Sequence, residues 1–286
     1  MKKVGWTIVS LLPILLYFGI QVGCSFGASL VITIIVSAQN AGKGLSAGEI
    51  TILATQKVME NIVLILIVSQ LVATLGFGLW YYLAYGKKKR PEGTEKPVPV
   101  HFLLIVVMGI LAQFFISSIL NLVQSYAPQL LEQYNELMEQ MGILEGTALT
   151  LFSTVVLAPL SEELACRGVI LKLAGKVSSK FWFANVIQAL AFGILHANLV
   201  QGIYAFGLGL LLGALYGKFK NIWLCMLLHA VMNASSMLVG PVYMLLAPDS
   251  GNPTVAALAA VLALSAVLLA LCASALLGRR NRTTSQ

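Results

Sequence analysis

Eight apolar runs, each close to the length needed to cross a bilayer, constrain this chain more than any other feature. They cover residues 6–36, 62–85, 101–123, 148–173, 181–197, 199–216, 222–239 and 254–277. About 20 apolar residues in a helix span the roughly 30 Å hydrocarbon core. At that depth no water satisfies the backbone, so such runs form helices and not loops or open strands. The expected fold class is therefore all-α: a polytopic membrane protein of about eight transmembrane helices, with residues 1–286 forming one integral-membrane domain. Composition agrees, since 58% of residues are hydrophobic and only 10% charged, outside the range of water-soluble domains. Lys2 and Lys3 followed by apolar residues resemble a secretory signal. The run from Val4 to about Ser37 is far too long for a signal core and is read as an uncleaved first span.

The formal charge of +7 does not point to nucleic acid, because the basic residues sit in short loops between the runs. Threading eight spans from an inside N-terminus puts Lys2, Lys3, Lys87–Arg90, Lys96, Lys172, Lys176, Lys180, Lys218, Lys220, Arg279, Arg280 and Arg282 on the cytoplasmic side. Outside lie Lys43 and Lys57, together with the acidic 132–145 segment and Asp249. This positive-inside pattern places both termini in the cytoplasm. Compact Lys-rich loops without organellar targeting favour a prokaryotic plasma membrane. The four cysteines, Cys24, Cys166, Cys225 and Cys272, all fall in apolar runs without a CxxC pair, which argues against a disulfide framework or a thiolate metal cluster.

Between the runs, residues around Lys43, Glu49 and Lys57 read as a mixed loop, and 87–99 as a cytoplasmic linker. Residues 128–146 differ. Leu130, Tyr134, Leu137, Met138, Met141 and Leu144 recur at helical spacing, with Glu132, Glu136, Glu139 and Glu145 between them. That pattern predicts an amphipathic helix on the membrane surface or over the protein, serving as a packed connector or as a lid. Gly209, Gly213 and Gly217 form a stripe that lets another helix approach closely. Gly240-Pro241 is expected to end the seventh span.

Chemistry concentrates in the fourth run, at Pro159-Leu160-Ser161-Glu162-Glu163-Leu164-Ala165-Cys166-Arg167. Each intramembrane charge costs roughly 2.5–3.5 kcal/mol on lenient scales, so two carboxylates and a guanidinium need a reason. Glu163 and Arg167 are four apart and can pair on one helix face. Glu162 then points elsewhere and is free for chemistry. A purely structural ion cluster would not need the second carboxylate. Pro159 has no N–H to give the preceding turn, so the helix should kink or loosen just before Glu162.

Of three histidines, His101 stands at the start of a span, where a wet interfacial role suffices. His196 and His229 lie inside later apolar runs, and intramembrane histidines face a bundle interior and have partners. Phe192 precedes His196 by one turn, and Asn233 follows His229 by one turn, sharing a face with it and able to hydrogen-bond it. Taken in order, Glu162-Glu163-x-x-x-Arg167, Phe192-x-x-x-His196 and His229-x-x-x-Asn233 stand on consecutive spans.

This combination resembles the CAAX-processing and bacteriocin-processing (CPBP, or Abi) family of intramembrane proteases, over about residues 148–240. The resemblance implies an eight-helix membrane peptidase with a polar active-site cavity within the bilayer. It implies that Glu162 and His196 hold and activate the attacking water, and that Glu163 and Arg167 orient the catalytic helix. His229 and Asn233 would stabilise the oxyanion or complete a metal site. A zinc ion on Glu162, His196 and His229 and a metal-free water activated by glutamate are equally compatible with these residue types. The substrates implied are C-terminally prenylated proteins, bacteriocin-like leader peptides or membrane-anchored regulators, met alongside membrane lipid. A prokaryotic membrane makes prenylated substrates the weaker expectation.

Three other readings compete. A non-proteolytic immunity or scaffold protein would keep the fold and not need Glu162. An ion-coupled transporter would use the carboxylates and histidines as a relay, but no repeat relates two halves of the chain. A cysteine protease on Cys166 is weaker still, since a small apolar filler explains that residue.

Overall fold

The computed structural model describes residues 2–86, 94–140, 146–247 and 253–278. Among them are ten helices and no strand. Helix α1 is Lys2–Gln39 and α2 Ala47–Glu60; α3 covers Ile62–Gly86 with a π-helical last turn. Then come α4 (Pro99–Tyr126), the short α5 (Glu132–Gln140) and α6 (Ala148–Ala174). The chain ends with α7 (Phe181–Leu195), α8 (Leu199–Phe219), α9 (Ile222–Leu246) and α10 (Val255–Leu277).

Seven of these, α1, α3, α4, α6, α8, α9 and α10, are long and apolar enough to cross a membrane. The protein is an all-helical, multi-pass membrane protein. The expected eighth span, α7, has 15 residues, about 22 Å at 1.5 Å per residue, short of the hydrocarbon thickness. It is held as half of a hairpin. α7 and α8 run antiparallel in continuous contact, with small residues of one helix facing the other. A Cβ on Gly193 would meet the Gly202 carbonyl, and one on Gly209 would meet Ala189. The glycine stripe of α8 is thus a packing surface for α7, as its spacing predicts.

Helix α6 stands at the centre, touching α1, α3, α7 and α9, while α4 packs between α9 and α10. Its residues Ala165, Cys166, Val169 and Ile170 are wholly buried in the main apolar core. Large exposed apolar side chains such as Phe26, Leu75 and Leu271 lie on outer helices, a surface suited to hydrocarbon.

Two expectations are corrected. The mixed loop after α1 is mostly helix α2: Ser46 and Glu49 make a reciprocal capping box that starts it, supplying two of the orphan end groups with partners. Gly240-Pro241 does not end α9, which continues through Pro241 to Leu246. Among the described residues, the expected amphipathic helix runs from Glu132 to Gln140, after a short 3-10 turn at Pro128–Leu130. Met141, Leu144, Glu145, Lys87–Arg90, Asp249, Arg279, Arg280 and Arg282 lie outside the described residues.

Candidate active site

The site is built on an irregular helix. α6 passes through two π-helical stretches, Phe152–Leu157 and Leu164–Ile170, with the α-helical turn Ala158–Glu163 between them. π-Helical stretches inside α-helices are frequent at functional sites. The loosening expected just before Glu162 lies slightly earlier, in the π-helical stretch Phe152–Leu157 that ends ahead of Pro159.

The adjacent carboxylates take opposite surroundings. Glu163 has no exposed side-chain surface, and its Oε1 accepts from Arg167 Nη1 at 2.9 Å. The same oxygen lies 3.0 Å from His229 Nδ1. Arg167 is also fully buried; its Nη2 donates to the Gly209 carbonyl at 3.1 Å, and its guanidinium lies 4.7 Å from the Phe192 ring centre. Gln188 donates to the same carbonyl at 2.8 Å. The charged pair therefore ties α6 to α8 and α9. Glu162 keeps 16% of its side chain exposed and lines a cavity; its Oε2 lies 3.7 Å from His229 Nε2 and has no hydrogen-bond partner.

The two histidines are oriented by their Nδ1 atoms. His196 Nδ1 is 2.8 Å from the Phe192 carbonyl. A carbonyl only accepts, so Nδ1 carries a proton and Nε2 is left for other work. The same holds for His229, whose Nδ1 faces the Glu163 carboxylate. Both rings meet the edge-on Phe192 ring, at 5.0 and 5.4 Å. His196 sits at the C-terminal end of α7, followed by Ala197 in a left-handed conformation (φ 52°). That reversal turns the chain into α8, which Asn198 caps. Asn233 does not bond His229. Its Nδ2 donates to the Thr154 carbonyl at 2.8 Å.

One cavity of about 390 Å³ collects Glu162, His196, His229 and Asn233. Glu163 and Arg167 lie behind it. The first three spans also line it, through Tyr17, Gln21, Gln70, Gln113 and Ser117. The Tyr17 hydroxyl is 3.0 Å from Ser161 Oγ, and Gln70 Oε1 accepts from Ser153 at 2.9 Å. Sequence reasoning gave those spans little part. Their signal was glutamine inside apolar helices, which is costly unless it faces a polar space. Helix α5 also lines the cavity with Tyr134, Leu137 and Met138. Tyr134 meets Tyr204 edge-on at 6.4 Å. Burial raises the Tyr134 hydroxyl above its ordinary range, so it stays protonated at neutral pH. A separate apolar groove of about 420 Å³ along α7 and α8 holds none of these titratable groups. Cys166 is wholly buried and does not line the cavity.

The residue types of the expected zinc set and the free Nε2 atoms suit a metal. Among the described residues, however, no three His, Cys, Asp or Glu side chains stand close enough together to hold one ion. Glu162, His196 and His229 share a cavity without forming a ligand cage, so the chemistry of the site is derived from its side chains alone.

Residues 144–235, about a third of the chain, match a family described as type II CAAX prenyl endopeptidase Rce1-like. A Bacillus subtilis (strain 168) protein named "Putative membrane peptidase YdiL" is 23% identical over 131 residues, which is 46% of this chain and 53% of that protein. The match thus spans about half the length of that relative. No solved structure matches. The segment that builds the Glu162 side of the cavity is thus the part of the chain that is similar to the type II CAAX prenyl endopeptidase Rce1-like family.

Proposed function

We propose that this protein hydrolyses a peptide bond in a membrane-associated or lipidated protein or peptide, within the cavity that Glu162 faces. The observation that carries the reading is the Glu162 carboxylate itself. It is held by a buried frame, with a partnerless oxygen 3.7 Å from His229 Nε2, in a cavity shared with His196 and Asn233. A water in that cavity can give one hydrogen to this oxygen and the other to His196 Nε2, leaving the His229 ring for the oxyanion. Glu162 removes a proton from that water as its oxygen bonds to the scissile carbonyl carbon, and His196 Nε2 helps to orient it. The carbonyl π electrons move onto oxygen. The second amide hydrogen of Asn233 and the His229 ring, when protonated at Nε2, are the donors for that oxyanion. Collapse breaks the C–N bond, and Glu162 returns the proton to the leaving amine. General-base catalysis of this kind is worth about 100- to 10,000-fold. Glu163 and Arg167 act through Glu162 and His229 as positioning residues.

The substrate classes are those the family suggests: prenylated C-termini, leader peptides or membrane-anchored regulators. The 148–240 core supplies the chemistry, the first spans complete the cavity, and α5 covers it. The chain is placed in a plasma membrane. The short α7 does not alter topology, because the α7–α8 hairpin begins at Lys180 and ends at Lys220, and both ends stay on one side whether its tip crosses or not. Six further spans then leave both termini on that side, the cytoplasmic one by the positive-inside rule. Tags on the two ends should be reached by protease from the same face of sealed vesicles; opposite faces would contradict this topology.

The functional test compares membrane and secreted peptide termini from cells expressing wild type or Glu162→Gln at matched protein levels. Specific cleaved termini should vanish in the variant and name the substrate. Unchanged termini, with a deletion phenotype rescued by the variant, would make the protein a scaffold. Chelator should leave cleavage by the purified protein intact; loss restored by zinc would instead make Glu162, His196 and His229 ligands.

A further inference from the structure

The π-helical register before Pro159 sets one carbonyl opposite a residue that has no backbone N–H to give. Ala158 N–H donates to the Ser153 carbonyl, five residues back. In that register the next donor, from residue 159, would reach the Thr154 carbonyl. Residue 159 is proline and has no N–H. The Thr154 carbonyl is taken instead by Asn233 Nδ2 at 2.8 Å, from α9, 79 residues away in sequence. Thr154, Ala158, Glu162 and Asn233 all line the same cavity. The residue a π turn adds rotates the rest of the helix by about 100° relative to an α-helix of 3.6 residues per turn. The register held at Thr154 thus decides the direction in which Glu162 points.

We infer that Asn233 stands in for the backbone N–H that Pro159 lacks, and so holds α6 in the register that turns Glu162 into the cavity. Pro159 and Asn233 are then a coupled pair of positioning residues, a duty of Asn233 separate from any contact with the oxyanion. The inference rests on the hydrolase reading for its consequence in catalysis, and on the helix geometry alone for the coupling.

The test is a double-mutant cycle on the full-length protein in vesicles, with Asn233→Ala, the shape-preserving Asn233→Leu, Pro159→Ala and the two combinations. Cleavage of the peptide found with Glu162→Gln and the melting temperature are both read. Each Asn233 variant should lower the melting temperature and slow cleavage about 100-fold, the scale of a misaimed catalytic group. Adding Pro159→Ala supplies a backbone N–H for Thr154. It should restore the melting temperature and recover at least about tenfold of the lost rate, as expected when two residues serve one interaction. Recovery of the melting temperature without recovery of rate would overturn the catalytic part, leaving Asn233 acting directly on the oxyanion. No recovery of either would overturn the coupling itself. If wild type shows no Glu162-dependent cleavage, the hydrolase reading fails while the melting temperatures still decide the coupling.

Discussion

At the scale of single residues, the site depends on one buried charge balance. Glu163 and Arg167 have no exposed side-chain surface, and Glu163 also orients His229. Removing one partner of such a pair leaves an uncompensated charge, at a cost of about 3–5 kcal/mol, whereas replacing both with apolar residues of similar volume is far cheaper. Arg167→Met should therefore destabilise strongly in detergent unfolding, and Glu163→Leu combined with Arg167→Met should recover much of the loss. Cleavage should not return with it, because His229 loses its orienting carboxylate. Equal stability of Arg167→Met and wild type would contradict this. The pairing itself was legible from the i,i+4 spacing. The contact of His229 with both glutamates was not, since it joins α9 to α6 across 66 residues of sequence. Asn233 was expected on the face of His229, and it is; its bond to Thr154 depends on a missing N–H in another helix.

At the scale of elements, the apolar runs announced nearly every helix, and the exceptions have physical causes. α2 is too polar to read as a span, yet Ser46 and Glu49 spelled out its start. Pro241 lies within a helix because packing against α4 and α8 outweighs the local breaker signal, and neighbouring helices re-satisfy freed backbone groups at membrane depth. The α7–α8 hairpin tests the packing argument. A Cβ at Gly213 would fall on the Asn185 side chain and 2.5 Å from Gln188 Nε2, whereas one at Gly207 would meet nothing within 4 Å. Overpacking costs about 1–3 kcal/mol, while alanine in place of an exposed helical glycine gains up to about 1 kcal/mol. Gly213→Ala should thus lower stability and Gly207→Ala should hold or raise it, read by unfolding in mixed detergent micelles. Equal effects at the two positions would mean the hairpin is not closely packed.

Across the whole molecule, one wall of the cavity comes from the 144–235 segment that matches the peptidase family, and another from α1, α3 and α4. The family resemblance made the first wall legible in the sequence. The second was hidden because isolated glutamines carry no spacing pattern, and only the folded arrangement shows that they meet one space. The central claim is that this space is where Glu162 directs water onto a peptide bond. The most direct measurement uses full-length protein in vesicles, the substrate peptide and ¹⁸O-labelled water. Wild type should yield a product whose new carboxyl group carries the label, and Glu162→Gln should form it at least about 100-fold more slowly. Cleavage at the wild-type rate by Glu162→Gln would contradict the account.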